Sequence, residues 1–154
     1  MEALFDSRNL SKNELAAEAL RTFGELRLGV TGASMLPAVR PADTLLIHQC
    51  RIEDAGPHDI VLFIRHSRLF AHRVVSRSAT HLFTQGDGLA DPDAPVAAHE
   101  LLGKVVRVTR RGKTVHHATQ PGWPARLAAA VFRRSSLAGS LFIRVQGLQG
   151  RVGL

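Results

Sequence analysis

Tyrosine is absent from the 154 residues, tryptophan occurs once, and aromatic side chains make up only 5% of the chain. That leaves little from which to build a platform for stacking single-stranded bases. Nucleic acid is therefore set aside as a partner, although the formal charge of +7 favours contact with something anionic. Cysteine also occurs once, so an internal disulfide and a thiolate metal site are both excluded. That residue, Cys50, closes an apolar run from Thr44 and reads as an inert, partly buried thiol. The histidines show no ligand spacing, and His116 and His117, adjacent on a strand, would point to opposite faces. No metal or other cofactor is expected. Long apolar runs are missing too, and no stretch approaches the roughly 20 residues of a spanning helix. The N-terminus opens with an acidic residue and has no apolar core of a secretory signal. The expectation is a cytoplasmic protein, or one held peripherally on a membrane.

What is present divides the chain into three stretches, 1–24, 25–119 and 120–154. Residues 1–10 read as a loose arm. Ser11-Lys12-Asn13-Glu14 has the form of a capping box, with helical spacing from Glu14 to Phe23 and Gly24 as the stop. From Glu25 onward short β-like runs take over: Leu26–Thr31, Thr44–Cys50, Asp59–Arg65, Phe70–Arg77, His81–Gln85 and Leu101–Arg110. His66-Ser67-Arg68 reads as one hairpin loop, and Arg110-Arg111-Gly112-Lys113 as another that returns through Thr114–His117. Pro121-Gly122-Trp123-Pro124 marks a break. Beyond it, apolar residues alternate with arginines, and Arg126, Arg133 and Arg144 fall on one helical line with Arg134 close by. Two readings stay open for residues 124–146: a helix packed on the β domain with a solvated basic face, or a membrane-surface anchor.

The chemistry-bearing residues lie in the β stretch. Ser34-Met35-Leu36-Pro37 follows the first strand-like run, His72 sits inside Phe70–Val75, and Gly86-Asp87-Gly88-Leu89-Ala90-Asp91-Pro92-Asp93 supplies three carboxylates. A serine hydroxyl attacks poorly until a neighbouring base takes its proton. An imidazole serves as that base without any large shift, since its ordinary pKa is near 6.5. A carboxylate behind it fixes the tautomer and stabilises the cation.

The order and spacing of these pieces across residues 29–108 resemble the signal peptidase I type of serine protease, whose fold is shared with phage-repressor autoproteases. His72 stands where most bacterial members carry lysine. That makes the chain similar to the histidine-base members of the endoplasmic reticulum, archaea and some sporulating bacteria. The resemblance implies a mainly β fold, a coiled antiparallel sheet with a short N-terminal helix before it and a C-terminal helical segment after it. It implies a serine endopeptidase that cleaves a leader or signal segment from a polypeptide precursor, with preference for small side chains before the cut. By the same match Ser34 is the nucleophile, His72 the base and Asp87 the first choice to orient it. Asp93 is second, and Asp91 stays in the set. The Ser34 N–H and its neighbours Gly32 and Met35 would support the oxyanion and the turn, with Gly32 allowing close backbone approach or a positive φ. Pro41-Ala42-Asp43 resembles a Gly-Asp turn of the family with alanine in place of glycine.

Two other classes remain. A self-cleaving, repressor-type regulator would need a DNA-binding domain and an Ala-Gly cut site before the serine; residues 1–33 contain no such pair and are too short for the domain. A non-catalytic peptide-binding protein on the same scaffold is the third reading, because a fold does not guarantee turnover.

Overall fold

The computed structural model describes residues 2–115, with side chains from Lys12 onward. Expectations that fall on residues 116–154, namely His116-His117, the break at Pro121–Pro124 and the C-terminal helical segment, lie outside the described residues. The architecture is mainly β. A helix, α1 (Glu2–Phe23), leads into β1 (Glu25–Gly29), β2 (Thr44–Gln49), β3 (Ile60–Arg65), β4 (Arg68–Arg77), β5 (His81–Gln85), β6 (Val96–Ala97), β7 (Leu101–Arg110) and β8 (Lys113–Val115). They form one eight-stranded sheet in the order β1-β2-β7-β3-β4-β5-β6, with β8 added beside β7 and every pairing antiparallel. The strand runs read from the sequence recur within a residue or two. No helix among the described residues is long and apolar enough to cross a membrane.

α1 is longer than its sequence signal. The Ser-x-x-Glu pattern suggests a start at Ser11, yet Ser11 lies inside the helix and the expected arm is helical from Glu2. Nothing between Glu2 and Leu10 breaks a helix, because glycine and proline are absent there. Glu14 is thereby released from capping. Its carboxylate accepts the Ser67 hydroxyl proton at 3.0 Å, and Asn13 donates to the Ser67 carbonyl, so the helix is pinned to the β3–β4 hairpin. Gly24 ends it as expected, at φ 73° with its N–H on the Leu20 carbonyl.

β3 contributes to the core on both of its faces. Its Ile60-Val61-Leu62-Phe63 run is apolar without alternation, the mark of a strand covered on both faces. Ile60 and Leu62 join one cluster with Ala17, Leu20, Met35, Val39, Leu45 and Ile47. Val61 and Phe63 join a second with Ile52, Val74, Leu82, Val96 and Leu101. Cys50 borders the second cluster, where burial pushes its thiol up to about 11 and so disfavours the thiolate.

Two turns share one design. In Arg40-Pro41-Ala42-Asp43 and Gly56-Pro57-His58-Asp59 the fourth N–H bonds the first carbonyl, proline fills the second position, and the third residue has positive φ. These are the marks of type II turns, in which glycine is the usual third residue. In each, the aspartate side chain also accepts the N–H of the first residue, and then holds a cation on β7. Ala42, at φ 72°, carries the conformational cost. Ala42→Gly should therefore stabilise the protein by about 1 kcal/mol, read as a higher urea midpoint at unchanged slope. A lower midpoint would show that no strain is held there.

A second ionic clasp ties β3 to the start of β7. Arg65 meets Glu100 through Nε–Oε1 at 2.6 Å and Nη2–Oε2 at 2.8 Å. The Arg65 hydrogen bonds, opposed by burial and helped by the Ala97 N–H, hold the Glu100 carboxyl down to about 2 from its ordinary 4.5. Because the folded value lies below the free one, the unfolded chain takes up the proton first. The stabilisation is complete above about pH 4.5 and drains away as the pH falls toward about 2. Glu100→Gln should therefore flatten the loss of stability across that acid window, measured by urea titrations at successive pH values. An unchanged acid slope would contradict the clasp.

Candidate active site

Ser34 lies on the turn that follows β1. The Leu36 N–H bonds the Ala33 carbonyl, the Val39 N–H bonds the Met35 carbonyl, and the Leu36-Pro37 peptide is cis. Met35, Leu36 and Val39 are buried, so the turn is anchored by its apolar residues while Ser34 stays half-exposed. Farther on, Asp43 grips Arg110 of β7 with both oxygens, which fixes the other end of the loop.

His72 is in the middle of β4, opposite Val61 of β3. Its side chain is 4% exposed and stands edge-on to the rings of Phe63 and Phe70, each 5.9 Å away between centroids. Its Nε2 is 3.0 Å from Ser34 Oγ, and its Nδ1 is 2.7 Å from Asp93 Oδ2. Asp93 sits between β5 and β6 and is tied twice to β5: its N–H bonds the Thr84 carbonyl, and the Thr84 hydroxyl donates to its Oδ2 at 2.7 Å.

These contacts orient the imidazole between a carboxylate and a hydroxyl. Burial pushes the Asp93 carboxyl up, but the hydrogen bonds from His72 and Thr84, with the charges of His72 and Arg65, outweigh it and hold the carboxyl below its ordinary range. An ionised carboxylate only accepts, so Nδ1 of His72 is the nitrogen that donates to Asp93, and in a neutral imidazole Nε2 is then the acceptor facing Ser34 Oγ. A proton leaving Ser34 Oγ thus has an acceptor within hydrogen-bond reach, and the resulting cation faces an anion. The Ser34 N–H makes no hydrogen bond within the described residues, which leaves a donor beside Oγ for developing negative charge.

Asp87, the first choice from the sequence, is placed elsewhere. It chelates the Arg73 guanidinium at 2.8 and 2.7 Å in a pair whose side chains are each 9% exposed. The reason is strand alternation: His72 and Arg73 project to opposite faces of β4, and each buried cation-forming group needs its own carboxylate. Asp93 serves one and Asp87 the other, while Asp91 is exposed to solvent. Arg73 was the available signal for this division, since an arginine directly after His72 inside an otherwise apolar strand demands a partner.

Gly32 is corrected as well. It has no positive φ, and a Cβ there would meet nothing within 4 Å. Close approach occurs at Gly86 instead, where a Cβ would lie 2.7 Å from the Ser34 carbonyl oxygen. The Gly88 N–H bonds that same oxygen at 2.9 Å, and the Asp87 N–H reaches Met35 Sδ at 3.4 Å. Gly86-Asp87-Gly88 is therefore the brace that holds the Ser34 turn, with Met35 as its receiving surface. Thr84 was missed in the sequence, although it occupies an inward position of β5 next to Leu82, where a buried hydroxyl needs an acceptor.

A scan of the chain against protein-family models and a search of curated proteins each returned no match.

Proposed function

We propose that this chain is a serine endopeptidase, similar to the histidine-base signal peptidases, which removes a leader segment from a polypeptide precursor. The observation that carries the proposal is the hydrogen-bonded line Ser34 Oγ, His72 Nε2, His72 Nδ1, Asp93 Oδ2, with separations of 3.0 and 2.7 Å at its two junctions. The order of the Ser34, His72 and Gly86-Asp87 segments along the chain supports the same reading.

In this reaction Ser34 Oγ attacks the scissile carbonyl while His72 Nε2 takes its proton. Asp93 stabilises the imidazolium, and the Ser34 N–H meets the oxyanion. As the tetrahedral species collapses, Nε2 returns the proton to the departing amine and an ester remains on Ser34. A water molecule, deprotonated by the same nitrogen, hydrolyses that ester and restores the serine. A net charge of +7 and the basic stretch 124–146 support peripheral contact with anionic lipid as the place of action.

The test is cleavage of polypeptides with alanine-rich leaders by the wild type and by Ser34→Ala. Cleavage that disappears in the variant is the expected result. Equal cleavage by both, or none by the wild type across such a panel, would overturn the proposal.

A further inference from the structure

We infer that Arg65, at the end of β3, is a positioning residue for the Asp93–His72 pair, an inference that rests on the proteolytic reading of that site. One guanidinium makes contacts in three directions. Its Nε and Nη2 fork onto Glu100. Its Nη1 donates to the Ala94 carbonyl at 3.2 Å and its Nη2 to the Pro95 carbonyl at 3.0 Å, the two residues directly after Asp93. Its Cζ lies over the Phe63 ring, 5.5 Å from the centroid. That ring is one of the two walls against which His72 stands.

The need for such a residue follows from where Asp93 sits. It is at the far end of the connection 86–95, and a loop holds a side chain less exactly than a strand does. Thr84 fixes the near side of Asp93 through β5. Arg65 fixes the following residues to β3, the strand that pairs with β4 and so with His72 itself. Asp93 and His72 are thus referred to one rigid frame, and Glu100 keeps the guanidinium from rotating away. Lysine could not replace it, since a single ammonium lacks the planar fork that reaches a carboxylate and two carbonyls together.

The test uses the full chain and two readouts, one independent of turnover. The His72 Nδ1 proton, hydrogen-bonded and hidden from water, should give a slowly exchanging downfield NMR resonance that Asp93→Asn removes. In Arg65→Gln that resonance should broaden or vanish in protein that is still folded by circular dichroism. Turnover of an N-acetyl-alanyl-alanine p-nitrophenyl ester should fall about 10-fold in kcat with KM little changed. A merely structural role would lower the melting temperature and leave the resonance sharp below it, and that outcome overturns the inference. Should Arg65→Gln fail to fold, Arg65→Lys decides: a weakened resonance is expected, and full wild-type sharpness contradicts the claim. A wild type with the resonance but without ester turnover would sink the protease reading, while the positioning role would still be judged by the resonance.

Discussion

Ser34→Ala is expected to reduce leader cleavage by about 10⁴-fold or more while leaving the fold as it was. The size follows from the proposed role: on that reading, without Oγ there is no nucleophile for His72 to activate, and no ester intermediate to divide the reaction into two easier steps. The small structural cost follows from the contacts. Among the described residues the Ser34 hydroxyl has one hydrogen bond, to His72 Nε2, whereas in the bond that braces the turn the Gly88 N–H donates to the Ser34 carbonyl. The carbonyl survives the substitution. Loss of the hydroxyl should cost about 1 kcal/mol at most, seen as a small change in urea midpoint. Alanine at His72 would be a poorer test, since it opens a hole beside Phe63 and Phe70 and strips Asp93 of its partner.

The second large effect is a contrast between two aspartates six positions apart in sequence. Asp93→Asn preserves shape but replaces the anion behind the imidazole with a neutral amide. The preferred tautomer is no longer enforced and the cation formed in the transition state loses its counter-charge. A fall of about 10⁴ in kcat is expected, with a stability change of about 1 kcal/mol. Asp87→Asn should behave in the opposite manner. It leaves the Arg73 guanidinium buried without its anion and loosens the brace under Ser34, for an expected loss of about 3–5 kcal/mol. That is a large share of the roughly 5–15 kcal/mol available to a domain. Urea midpoints and kcat measured side by side separate the two. If Asp87→Asn were the catalytically dead but fully stable variant, the roles assigned above would have to be exchanged.

Much of the sheet was readable because the strand-forming runs are short, β-branched and separated by strong turn residues. The Asp59–Arg65 run was readable as a strand, whereas its burial on both faces shows only in the assembled sheet. The serine and the imidazole were readable too, since their residue types and order are restrictive. What could not be read was which of two acids faces which of two bases. That depends on the side of β4 from which Arg73 projects and on where the connection 86–95 turns, and both are properties of the assembled sheet. The same holds for glycine. Gly32 looked important because it neighbours the serine, but the constraint falls on Gly86, which is distant in sequence and pressed against the Ser34 carbonyl. Ser11 misled for a different reason: its capping pattern is real as a local preference, but a helix already running from Glu2 overrides it.

The nucleophilicity of one hydroxyl can be measured without any polypeptide substrate in hand. An activated ester such as N-acetyl-alanyl-alanine p-nitrophenyl ester should acylate Ser34 faster than water removes the acyl group. Mixing it with the wild type should release a burst of nitrophenol stoichiometric with protein, and mass spectrometry after acid quench should locate the dipeptidyl adduct on Ser34. Ser34→Ala should show neither burst nor adduct, and Asp93→Asn a burst slowed by orders of magnitude. A burst of equal size in Ser34→Ala, or an adduct mapped to any other residue, would contradict the assignment of Ser34 as the hydroxyl that His72 activates.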